Sequence, residues 1–143
     1  MVPINYLAVL VSTALMMILG GLWYGPIFGK QWIGLMGFDP KKVAEMQAVG
    51  MSGMWKNYSM MALGALIMSF ILAHAVIFAN AYLGTSGIEG GLMTGFMSWI
   101  GFIAPVTLGT VLWEGKPWKL WVINTLYYLV GLLIVGALLS VWM

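Results

Sequence analysis

One histidine, four carboxylates and no cysteine are the acid–base and metal-ligating side chains available to this chain. Without cysteine there is no disulfide exchange and no thiolate metal site. Asp39, Glu45, Glu89 and Glu114 are scattered. With one imidazole they compose neither a nucleophile–base pair nor a multi-ligand metal site, so no catalytic residue, no metal and no cofactor is expected. His74 stands alone within a long uncharged stretch, with Phe70 and Phe78 four residues to either side on the same helix face. An ionisable group inside a membrane span is a functional candidate by default. His74 could bind haem or metal, relay protons or sense external pH. The other reading is a neutral imidazole hydrogen-bonded to a neighbouring helix, with Thr94, Ser98 or a water as partner. A single His without a second ligand makes a poor metal site, which favours the latter.

A second group is polar and uncharged: Thr107, Thr110, Asn124, Thr125, Tyr127 and Tyr128, with Glu114 nearby in sequence. Two readings stand for it. One is a hydrogen-bonded network tying two helices together in lipid. The other is a small polar vestibule open to the cytoplasm. Pro105 lies between Gly101 and Gly109 and leaves a carbonyl near Gly101 without its helical donor. That makes it a candidate hinge or cavity lining, or simply a packing adjustment. The candidate functional residues are therefore His74, Pro105, Thr107, Asn124 and Tyr128.

The elements that must position these residues follow from where charge is missing. Hydrophobic residues are 62% of the chain and charged ones 7%, far from the roughly 25% charged of soluble domains. The uncharged runs 1–29, 57–88, 90–113 and 120–143 each suffice for the roughly 20 apolar residues that cross a bilayer as a helix. The expected fold is all-α: a polytopic integral membrane protein, one domain over 1–143, with spans near Ile4–Tyr24, Asn57–Tyr82, Gly90–Trp113 and Lys119–Trp142. Tyr6, Trp23, Tyr24, Tyr82, Trp113, Trp118, Trp121 and Trp142 mark the ends, as headgroup regions favour. The first segment lacks the basic start and small-residue cleavage signal of a secretory leader and reads as a span. Lys30, Lys41, Lys42 and Lys56 flank or occupy the first connection and Lys116 and Lys119 the third, while the second holds Glu89 and no Lys. The positive-inside rule then places loops one and three in the cytoplasm and both termini outside, in the cell's inner (plasma) membrane. The spans carry no carboxylate away from their ends, which argues against proton-coupled transport. Six Lys without a clustered basic face do not suit nucleic acid.

The first connection, 25–56, is long. Gly25-Pro26 is expected to end the first helix, since proline disfavours helical geometry in the residue before it. Residues 27–38 read either as an aromatic segment on the membrane surface, with Trp32 and Phe38 at headgroup level, or as an irregular loop. Asp39-Pro40 is a helix-start signature and predicts a short cytoplasmic helix over Pro40–Val49. Leu22-Trp-Tyr-Gly-Pro has a faint echo in Leu112-Trp-Glu-Gly-Lys-Pro, which fits either chance or two parallel helix-pair repeats.

The stretch Leu22-Trp-Tyr-Gly-Pro-Ile-Phe-Gly-Lys-Gln-Trp32, followed by Leu35-Met-Gly-Phe38, resembles the small bacterial four-helix membrane proteins grouped as "domain of unknown function 1761". The resemblance covers nearly the whole chain. It implies a polytopic membrane protein and carries over no activity and no catalytic residue.

Small residues recur at packing spacing: Ala65, Ser69 and Ala73; Gly87, Gly91 and Gly95; Gly101, Pro105 and Gly109; Gly21 and Gly25; Gly136 and Ser140. Such stripes let helix backbones approach in lipid, within one chain or between copies. Thirteen Met residues favour adaptable packing over soft-metal handling, because adjacent ones point to different faces. Three classes of function remain. The first is a non-catalytic helix-packing component, as a homo-oligomer or an accessory subunit among other membrane protein subunits, with membrane lipids as its surroundings. The second is an uncoupled channel or small-solute facilitator formed by an oligomer, and the least favoured is a membrane enzyme.

Overall fold

The computed structural model describes residues 3–142, all of whose regular elements are helical. Four helices are long and apolar enough to cross a membrane: Tyr6–Ile27, Trp55–Leu83, Gly87–Leu112 and Trp118–Trp142. In chain order the elements are α1 (Tyr6–Leu22), α2 (Gly29–Met36), α3 (Pro40–Gly53), α4 (Trp55–Leu83), α5 (Gly87–Ser98), α6 (Ala104–Thr107), α7 (Gly109–Leu112) and α8 (Trp118–Trp142). Asn5 caps α1, its side-chain oxygen accepting from the amides of Leu7 (3.1 Å) and Ala8 (3.2 Å). The same side chain donates to the Trp142 carbonyl (3.0 Å), joining the start of α1 to the end of α8.

Two π-helical turns interrupt the spans, and both adjoin a proline. Trp23–Ile27 extends α1 and contains Pro26; Trp99–Ile103 joins α5 to α6, in which Pro105 follows the first residue. The expectation that Gly25-Pro26 ends the first helix is corrected here. The helix passes through Pro26 because the hydrogen-bond register widens, so that the Phe28 amide reaches back to the Trp23 carbonyl (2.8 Å). A wider turn accommodates a residue that has no N–H to give. The same widening precedes Pro105, where the Ala104 amide donates to the Trp99 carbonyl.

The first connection is mostly helical. Residues 29–36 form α2, which decides against an irregular loop over most of 27–38. Gly37, at φ 70°, terminates it in the left-handed conformation that glycine adopts freely. Asp39 then caps α3 through its side chain to the Lys41 amide (2.9 Å), as its sequence signature predicts. Helical geometry breaks at Gly50 (φ 61°, ψ −169°), one residue beyond the expected end.

The bundle is organised around α8, which packs most extensively on α5 and also against α1 and α4. Its contact with α5 is backbone on backbone. A Cβ at Gly91 would meet the Gly136 carbonyl, and one at Gly95 the Leu132 carbonyl. On the other side α1 packs on α4. Ala8 and Ser12 on α1 and Ala65, Ser69 and Ala73 on α4 are buried, each set spaced by four residues, while Met16 lies against Gly131 of α8. Both arrangements use small residues to bring helices close, as expected where hydrophobicity alone gives no drive to associate.

Candidate functional site

A cleft of about 450 Å³ opens at the lysine-bearing end of the bundle, lined by Tyr24, Trp32, Met36, Met61, Thr107, Thr110, Trp121, Asn124, Tyr127 and Tyr128. Its size lies within the range of small-molecule sites. The proline-adjacent turn after α1 supplies Tyr24, α2 supplies Trp32 and Met36, α4 supplies Met61, the broken end of the third span supplies both Thr residues, and α8 supplies the rest. Several polar wall groups are oriented by a neighbour. The Tyr24 hydroxyl donates to Asn124 Oδ1 (3.1 Å), which leaves the amino group of this lining residue to donate elsewhere. Thr107 Oγ1 donates to the carbonyl of Ile103 (2.8 Å) and accepts from Trp121 Nε1 (3.0 Å). Thr110 Oγ1 donates to the Thr107 carbonyl (2.8 Å). The rings form a connected wall: Tyr24 with Trp32 (5.5 Å between centroids), Tyr24 with Tyr127 (5.3 Å) and Tyr127 with Tyr128 (4.9 Å).

Two indoles outside the lining fasten the first and third spans to α8. Trp23 Nε1 donates to the Ile123 carbonyl (3.0 Å), and Trp99 Nε1 to the Thr125 carbonyl (2.8 Å) and hydroxyl (3.0 Å). Each Trp opens a π-helical turn and each docks on the backbone of α8, at carbonyls two residues apart. Tyr127 is buried, its hydroxyl donating to the Met16 carbonyl (3.1 Å). At the rim, Lys116 Nζ donates to the carbonyl of Met36 at the end of α2 (3.4 Å), a favourable place for a cation.

Thr107, Asn124 and Tyr128 thus converge on one wall, together with Thr110 and Tyr127. Pro105 does not line this cleft; it is exposed on the outer side of the third span. His74 is far along α4 and only partly buried. The expectation that it pairs with Thr94, Ser98 or a water is corrected with respect to the two side chains. Its Nδ1 lies 2.9 Å from the Phe70 carbonyl of its own helix, a contact that requires the proton on that nitrogen, and its ring stacks edge-on with Phe70 at 4.6 Å. Thr94 and Ser98 turn back in the same way, to the carbonyls of Gly90 and Thr94 (2.8 Å each). Back-bonding to the residue four earlier is the nearest option for a short polar side chain on a helix in an apolar setting. Among the described residues no three His, Asp or Glu side chains gather to hold a metal ion.

The sequence reading misses Tyr24, Trp32, Met36, Met61 and Trp121 as cleft residues. Tyr24, Trp32 and Trp121 read from sequence as membrane-interface aromatics, and the one available signal is the density of aromatics around Gly25-Pro26.

The family model described as "Protein of unknown function (DUF1761)" matches residues 7–140. The chain belongs to this family. The match to DUF1761 runs from the first turn of α1 to the last of α8 and so includes every residue of the cleft. No curated protein and no solved structure matches the chain.

Proposed function

We propose that this DUF1761 member is a non-catalytic component of the cell membrane, working as a homo-oligomer or as an accessory subunit of a membrane assembly, with the polar cleft as its binding feature. The observation that carries this reading is the packed core beyond the cleft. There Met16, Val76, Leu132, Val135 and Leu139 are each no more than 3% exposed. A packed core of that kind favours holding something at one end of the bundle over passing solute through a single chain. Lysines cluster at the cleft end, which by the positive-inside rule makes it the cytoplasmic end. Association is favoured by a glycine that the chain's own packing leaves open: a Cβ at Gly64 on α4 would meet nothing within 4 Å. Such a position permits close approach of another helix.

The test is to purify the protein in mild detergent and determine its mass and co-purifying proteins. A defined oligomer or a stoichiometric partner is the expected outcome. A lone monomer that, in liposomes, passes a solute with flux abolished by Asn124→Leu would replace this reading with the facilitator one.

A further inference from the structure

The polar cleft does not stand alone. A groove of about 290 Å³ runs between α1 and α4, lined by Met16, Met17, Gly20, Gly21, Tyr24, Gly25, Tyr58, Met61 and Tyr127. Tyr24, Met61 and Tyr127 belong to both voids, so cleft and groove are neighbours across one row of side chains. The groove is shaped by absent side chains: Gly21 and Gly25 are exposed and a Cβ on either would meet nothing within 4 Å. It opens laterally, since Met61 is 54% and Tyr58 46% exposed. In a membrane that side faces acyl chains.

The two voids differ in chemistry in a consistent direction. The groove is apolar apart from two Tyr hydroxyls at its cleft end and that of Tyr58. The cleft has hydrogen-bond donors left over. The Asn124 amide oxygen accepts from Tyr24, so its amino group remains to donate. The Tyr128 hydroxyl is a further donor on the same wall, and the Lys116 ammonium, outside the lining itself, reaches the carbonyl of the lining residue Met36. No carboxylate lines either void. A site with surplus donors, one cation and no anion selects an acceptor-rich, negatively charged group. A site that continues into a laterally open apolar groove selects an acyl chain attached to that group.

We propose that cleft and groove together bind one anionic phospholipid of the surrounding leaflet, its phosphate at Lys116, Asn124 and Tyr128 and one acyl chain lying along Gly20, Gly21 and Gly25 between α1 and α4. A basic pocket between membrane helices is a known way to hold an acidic headgroup. The proposal rests on the cleft being an end site rather than a passage, which the liposome flux measurement tests separately.

The experiment titrates the full chain in detergent with phosphatidylglycerol, with phosphatidylcholine and with free glycerol phosphate, counting adducts by native mass spectrometry. Phosphatidylglycerol is expected to add once per chain, at least tenfold more tightly than phosphatidylcholine, while glycerol phosphate gives no adduct at the same concentration. Lys116→Gln should erase most of the preference for the acidic lipid. Gly21→Leu fills the groove at a position with open space and should weaken both lipids alike. Gly101→Leu, a substitution at an equally open glycine on another span, should change neither and serves as the folding control. Equal affinity for the two lipids would overturn the assignment of an acidic headgroup. Binding of glycerol phosphate as tight as that of the lipid would overturn the groove's part. Indifference to both Lys116→Gln and Gly21→Leu, with Gly101→Leu folded, would place any bound lipid elsewhere and overturn the proposal.

Discussion

The α5–α8 seam and the α1–α4 side use the same residue types to opposite ends. In the seam, Gly91, Gly95 and Gly136 are buried and each lies against backbone of the facing helix. On the α1 side, Gly21 and Gly25 are exposed with open space where a side chain would be. The first set makes a contact and the second leaves a hollow. A glycine in a membrane span therefore has no fixed meaning: its role is decided by whether a second backbone has moved into the space it vacates.

Substitutions separate the two sides, most sharply at the seam. Gly91→Ala should cost about 3 kcal/mol, the upper end of overpacking penalties, because the new methyl meets backbone that cannot swing away. Thermal unfolding in detergent reads this, and the matched change Gly21→Ala should fall within about 0.5 kcal/mol of wild type, as open surface sites do. Equal losses would dissolve the distinction. Next in size is Trp99→Phe, which removes the bonds to Thr125 that lock the third span to α8. Hydrogen bonds between membrane helices are worth about 0.6 kcal/mol on average and up to about 1.7, so a loss near the upper value is expected in the same melt. On the α1–α4 side the sign reverses. Ser12 and Ser69 bury hydroxyl oxygens without a partner, so Ser69→Ala should raise stability by about 1 kcal/mol. A loss there would mean that a water or a partner satisfies that hydroxyl. Smallest is His74→Gln, expected within about 0.5 kcal/mol and without change in metal content by elemental analysis, since the imidazole bonds within its own helix. Loss of a bound metal or chromophore on this change would return His74 to the functional candidates.

Much of the architecture could be read from residues alone. The uncharged runs locate four helices to within a few residues of Tyr6–Ile27, Trp55–Leu83, Gly87–Leu112 and Trp118–Trp142. Asp39-Pro40 places the start of α3 because a cap is a local interaction, complete within three residues. The cleft was half legible. Thr107, Asn124 and Tyr128 announce themselves as polar groups in apolar spans, whereas Tyr24 and Trp32 look like ordinary membrane-interface aromatics. Whether an aromatic faces headgroups or another helix depends on contacts between residues about 100 positions apart, such as Tyr24 with Asn124. No local pattern encodes those. Likewise nothing around His74 announces that its bond goes to Phe70 rather than across to α5.

The two π-helical turns bear on every comparison of this chain with a shortened or lengthened version of itself. An α-helix turns about 100° per residue, and a π turn holds one residue more than the α turn it replaces. All that follows residue 103 in the third span is thus rotated by about 100° from where a continuous helical wheel would put it, and the turn that ends the first span re-aims the chain entering α2. Removing one residue from Trp99–Ile103 would restore the α register and turn Thr107 and Thr110 away from Trp121 and Asn124, while every polar side chain of the cleft stayed in the sequence. An insertion or deletion of a single residue there is a rotation of the binding wall, and its effect should be judged as an angle and not as a length.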